Sequence, residues 1–212
     1  MKVDMGNKLN FEIFCKAYIE KLTSMFNDDY FGSIKMLADS LEQTWLTKKT
    51  VFICGNGGSA ANAMHIANDM HFGIGSCDQN TSYPGLRIEA LPTNIGVITC
   101  LANDLGYENI YSQQLQVKGE KGDLLIVLSG SGNSPNIVKA IRIAKKLEIK
   151  TIAITGFDGG LSKKLADISV HFEINDMQIA EDIQVIVGHI CMQWLGEKMR
   201  IKRLEEESCK NG

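Results

Sequence analysis

From Thr50 onward, short apolar runs alternate with segments of helical period, and that alternation is what most restricts the fold of this chain. The runs are TVFICG, LRIEAL, GDLLIVLSG, KTIAITG and ISVHFE, starting at Thr50, Leu86, Gly122, Lys150 and Ile168. Their cores are rich in Val, Ile and Leu, as strands buried on both faces require. Between them, helical patterns run from Ala60 to about Phe72, Asn94 to Leu105, Tyr107 to Val117 and Pro135 to Leu147. A helical turn follows over Leu161–Leu165, and a long helix from Met177 to beyond Arg200 closes the chain. Strands that alternate with helices predict an α/β architecture: a parallel sheet covered on both faces.

Ahead of this body, residues 8–48 hold two helical patterns and no strand. Phe11, Phe14, Tyr18, Leu22 and Met25 recur at spacings of three and four, as do Ile34, Leu37, Leu41 and Trp45. The segment is either a core layer or an oligomer contact. The expected organisation is one domain, with residues 1–48 as a helical preface and 49–202 as the body.

A chain of 212 residues can bury a full core. Its net charge of -3 gives no reason to expect nucleic acid or an anionic membrane as partner. No apolar run is long enough to span a bilayer, and the N-terminus shows no signal-peptide pattern, so a cytoplasmic location is expected. Cys15, Cys54, Cys77, Cys100, Cys191 and Cys209 show no CxxC pairing. They are expected to be reduced thiols, several of them buried as small hydrophobes.

Two loops stand at strand ends, where ligands bind in open α/β sheets. One is GNGGS, Gly55–Ser59, after TVFIC; the other is SGSGNS, Ser129–Ser134, after DLLIVL. Each leads into a helix, whose first N–H groups are free and carry partial positive charge. Glycines admit an anion to the backbone, and Ser129, Ser131 and Ser134 add three hydroxyls. Neither loop holds Lys or Arg, and neither matches GxxxxGK[ST] or GxGxxG. Each loop alone could merely cap its helix; two in one chain favour a phosphate site.

His65 and Asp69 are four apart on one helical face, and Glu181 and His189 are eight apart on one face of the last helix. Two His and two carboxylates can hold a borderline cation such as zinc, or act as an acid/base pair on a sugar carbon. A satisfied core His with a solvated Asp is the bland alternative. His71 and His171 take no such role.

GNGGSAANAMH, SGSGNS, TGFDGG and the last-helix His together resemble a SIS (sugar isomerase) domain of the phosphoheptose isomerase group, from about Asn10 to Gly196. The resemblance implies a three-layer sandwich around a five-stranded parallel sheet. It also implies a homotetramer, with the N-terminal helices between subunits and active sites near subunit boundaries. The implied reaction converts D-sedoheptulose 7-phosphate into D-glycero-D-manno-heptose 7-phosphate, toward lipopolysaccharide or capsule. Asn56, Gly57, Gly58 and Ser59 would line the sugar phosphate. Ser129, Gly130, Ser131 and Ser134 would cradle its phosphate, and Asn94 falls where the family has an Asp on the sugar chain. His65, Asp69, Glu181 and His189 match zinc-ligand positions, with Asp69 as base, His189 as acid and Glu181 as an alternative base. The family has Glu at position 69 and Gln at 181, so this chain resembles a divergent member. No nucleotide cofactor is expected. Two alternatives remain: an isomerase of another sugar phosphate, or a regulatory module that associates with the initiator protein DnaA. The relative of the second kind lacks the last-helix His.

Overall fold

The computed structural model describes residues 10–74 and 84–210. Most of the turn-rich segment Gly73–Gly85, with Cys77, lies outside the described residues. The described elements are the helices α1 (Phe11–Thr23), α2 (Asp28–Leu46), α3 (Gly58–Asn68), α4 (Ile95–Leu105), α5 (Ser112–Lys118), α6 (Pro135–Lys146), α7 (Gly160–Leu165) and α8 (Met177–Lys210). The strands are β1 (Val51–Cys54), β2 (Ile88–Ala90), β3 (Leu124–Ser129), β4 (Lys150–Thr155) and β5 (Ile168–His171).

The strands form one parallel sheet in the order β2-β1-β3-β4-β5. Successive side chains of a strand point to opposite faces, and here both faces are buried. Val51, Ile53, Leu124, Ile126, Leu128, Ile152 and Ile154 face a core shared with α2, α3 and α8. Phe52, Cys54, Leu125, Val127 and Ala153 face a second core, closed by Ile110, Tyr111 and Leu115 and by Ile137 and Ile141 of α6. That is the expected three-layer α/β sandwich.

Side-chain caps fix several helix starts. Asn10 Oδ1 accepts from Ile13 N at 3.1 Å and Asn27 Oδ1 from Asp29 N at 3.0 Å, satisfying donors that a helix leaves free. The helical preface divides in its use. α2 buries Ile34, Leu37, Leu41 and Trp45, whereas α1 buries no residue. α1 is tied to α8 by polar contacts. The Tyr18 hydroxyl donates to Asp182 Oδ2 at 2.5 Å, and Lys21 pairs with Asp176 at 2.7 Å. The bond to Asp182 pushes the Tyr18 phenol up to about 12. Among the described residues no helix is long and apolar enough to cross a membrane.

Two elements depart from the sequence expectation. The helix from Ala60 to Phe72 starts at Gly58 and turns into a π turn at Asp69–Gly73. The helix over Tyr107–Val117 is broken into a 3₁₀ turn, Tyr107–Asn109, and α5. The break follows Gly106, which holds φ +90°, and it sends the Tyr111 side chain inward.

Ile126 lies mid-sheet on β3, 3% exposed. Ile126→Ala is expected to cost about 2–5 kcal/mol, read as a lowered midpoint of urea unfolding with the m-value unchanged.

Candidate active site

β1 and β3 are neighbours, with Cys54 opposite Val127. The sheet reverses its winding direction between them, and a crevice opens there at the carboxyl ends of the strands. GNGGS and SGSGNS therefore face one another. Together they line a cavity of about 280 Å³ with Asn56, Gly57, Gly58, Ser59, Ser129, Gly130, Ser131, Ser134, Met177 and Glu181. α3 and α6 both begin at this cavity, and neither has a side-chain cap. Their free N–H groups and the Ser134 hydroxyl make a donor-rich, cation-free pocket suited to a phosphate. The turn into α3 needs Gly57, which holds φ +54°.

The crevice is braced by residues that the sequence did not point to. Asn56 and Asn136 exchange amide hydrogen bonds, Nδ2 to Oδ1, at 2.9 and 2.7 Å. Asn136, 1% exposed, joins the β1 loop to the start of α6. The Tyr107 hydroxyl donates to Asn56 Oδ1 at 3.1 Å, and the Tyr111 hydroxyl donates to the Gly55 carbonyl. Burial drives the Tyr111 hydroxyl far above its ordinary pKa. The TGFDGG loop supports SGSGNS from behind: Gly156 N donates to Gly130 O at 2.9 Å and Leu161 N to Asn133 Oδ1 at 3.0 Å. Ser162 Oγ donates to Gly132 O at 2.8 Å.

At the far end of α3 a second group gathers. His65 Nε2 lies 2.9 Å from His189 Nε2, and Asp69 Oδ2 lies 3.5 Å from the first and 3.1 Å from the second. Gly188 lets α3 and α8 approach there, because a Cβ on it would stand 2.7 Å from Ile66 Cγ1. Asn62 Nδ2 pins the same helices, donating to Glu181 O at 2.9 Å and to Gln184 Oε1 at 3.1 Å. The three donor atoms lie within 4.8 Å of one another. Ligand atoms about 2.0–2.2 Å from a tetrahedral zinc stand roughly 3.3–3.5 Å apart, so the trio fits such an ion to within about half an ångström. The His side chains are 49% and 40% exposed, which leaves room for a further ligand.

Glu181 does not join this group, contrary to the fourth-ligand expectation. Eight residues of α-helix set it about 12 Å from His189 along the axis. Its carboxylate lies against Gly58 instead, where a Cβ would fall on its oxygens. Asn94 also departs from expectation. It lies outside the cavity lining, and its Oδ1 caps α4 by accepting from Val97 N at 3.1 Å. Cys54 and Cys191 are buried; burial pushes Cys191 up to about 12 and Cys54 higher still, so both are inert thiols. Cys15 and Cys100 are exposed, and the Cys209 side chain lies outside the described residues.

A family model described as SIS domain matches residues 14–156. Sheet order, crevice and that match define a SIS-domain protein. A phosphoheptose isomerase of Vibrio cholerae is 39% identical over 172 residues, covering 79% of this chain and 83% of the relative. Those of Chlorobaculum parvum and Helicobacter pylori are 35% and 34% identical, covering 78% and 82% of this chain and 78% and 86% of the relatives. The phosphoheptose isomerase structure from Francisella tularensis matches with a TM-score of 0.79 at 23% identity, over 89% of this chain and all of that one. This last likeness speaks for the fold. The chain belongs to the phosphoheptose isomerase family.

Asn136→Ala removes both amide bonds to Asn56. It is expected to destabilise the chain by about 1–3 kcal/mol, read by thermal melting, and to weaken inorganic phosphate binding in calorimetry.

Proposed function

We propose that this chain is an aldose–ketose isomerase that converts D-sedoheptulose 7-phosphate into D-glycero-D-manno-heptose 7-phosphate. One observation carries the reading: α3 joins an anion cavity at its first residue to an acid/base trio on its last turn. From Gly58 to His65 the helix rises about 10 Å, a span for a phosphorylated sugar chain rather than a small phosphate.

The phosphate docks on the N–H groups and hydroxyls of the Gly57–Ser59 and Ser129–Ser134 loops. That places the C1–C2 end toward His65, Asp69 and His189. Asp69 removes a proton from C1, and His189 protonates the carbonyl oxygen at C2, giving a cis-enediol. The C1 hydroxyl then loses its proton as carbon C2 regains one, and the aldose results. A positioned base and acid of this kind contribute about 10²–10⁴ each. Asp69 is one methylene shorter than Glu, and the π turn at Asp69–Gly73 is where the backbone adjusts to its reach.

His65, Asp69 and His189 would hold a divalent ion such as zinc, three protein ligands with an open position. Bound there, it would polarise the substrate oxygens as a Lewis acid. The bare apolar side chains of α1, Phe11, Phe14 and Ile19, together with Phe31 and Trp194, support assembly into a homotetramer. A pure binding module would leave the His65–Asp69–His189 trio without a use, which favours the enzyme over the regulatory reading.

In deuterated water the purified chain is expected to place deuterium on carbon and form aldoheptose from D-sedoheptulose 7-phosphate, followed by NMR. Asp69→Asn should lower that rate at least about 100-fold while its circular dichroism stays unchanged. No exchange by the unaltered chain, with or without zinc, would exclude this substrate. Zinc affinity is a separate measurement. In competition with a chromophoric chelator, His65→Ala is expected to bind zinc at least about 100-fold more weakly.

A further inference from the structure

A carboxylate stands inside the cavity suited to an anion. Glu181 lines the same space as Asn56, Ser129, Ser131 and Ser134, and no Lys, Arg or His lines it with them. Its oxygens lie where a Cβ on Gly58 would fall, beside the first residue of α3. α3 has no side-chain cap, so the Glu181 charge sits by the positive end of that helix. The other charged groups on this part of α8 are occupied or distant: Asp182 bonds Tyr18, and His189 lies two turns on.

A negative charge at this point opposes a phosphate in the same volume. The opposition falls hardest on a bare phosphate, which brings only acceptors and negative charge. A sugar phosphate also brings hydroxyl donors, and an ionised carboxylate only accepts, with room for more than one donor.

We propose that Glu181 is a specificity-determining residue, a resident negative charge that weakens bare phosphate and is offset by hydroxyls of a polyol phosphate. The inference deepens the proposed function and rests on the cavity being its phosphate site. Free phosphate would then compete poorly with substrate, although the same N–H groups and hydroxyls serve both. Met177 and Glu181 close the cavity on the α8 side, so the sugar carbons next to the phosphate pass the carboxylate.

Calorimetric titration of the full chain tests this with two probes, inorganic phosphate and glucitol 6-phosphate, a polyol phosphate with no carbonyl. Glu181→Gln keeps the side-chain shape and removes the charge. Its Kd for inorganic phosphate is expected to fall about tenfold or more, and its Kd for glucitol 6-phosphate to change less than about threefold, the lost repulsion and the weakened hydroxyl bonds cancelling. The gain for phosphate should shrink as ionic strength rises, which a merely structural change would not do. Glu181→Asp keeps the charge and should stay with the unaltered chain. Equal changes for both probes, or none for either, overturn the proposal and leave the phosphate site standing. Failure of both probes to bind the unaltered chain and Glu181→Gln overturns the phosphate site itself, and with it the proposed function.

Discussion

The pairing of β1 with β3 is the constraint on which the rest depends. These strands are separated in sequence by α3, β2, α4 and α5, yet they run side by side with Cys54 opposite Val127. That pairing brings two glycine- and serine-rich loops to one crevice and aims two uncapped helix starts at one cavity. Either loop by itself is a helix cap. Held together by the Asn56–Asn136 amide pair, they become a binding surface with no cation in it.

The second constraint is the close approach of α3 and α8. Gly188 permits it and Asn62 fixes it. Two imidazoles and a carboxylate then converge from separate helices, half open to solvent. α3 carries both ends of the site, so its length sets the distance between the anion cavity and the His–Asp group.

The strands were legible because a strand buried on both faces must be apolar on both, and TVFICG and DLLIVL say so without alternation. The loops were legible because glycine and serine have few other uses at a strand end. The strand order was not, since nothing within β1 names its neighbour. The roles of Asn136, Tyr107 and Tyr111 stayed hidden for the same reason: each depends on a partner far along the chain. Glu181 and His189 share a helical face, but sharing a face says nothing of rise, and two turns set them apart. Asn94 sits at a helix start, where its amide serves the backbone. The helical preface read as one layer, yet only α2 enters the core.

The π turn at Asp69–Gly73 has a consequence for how this chain can vary over evolution. Such a turn is an α-helix that has absorbed one extra residue. Placed earlier, between His65 and Asp69, that residue would rotate the carboxylate about 100° away from the imidazole. Placed here, after both side chains have been set on their face, it re-phases only the downstream residues. The helix thus keeps its ligands in register while the connection beyond it is free to change length, so insertion and deletion in that connection can proceed without disturbing the chemistry upstream.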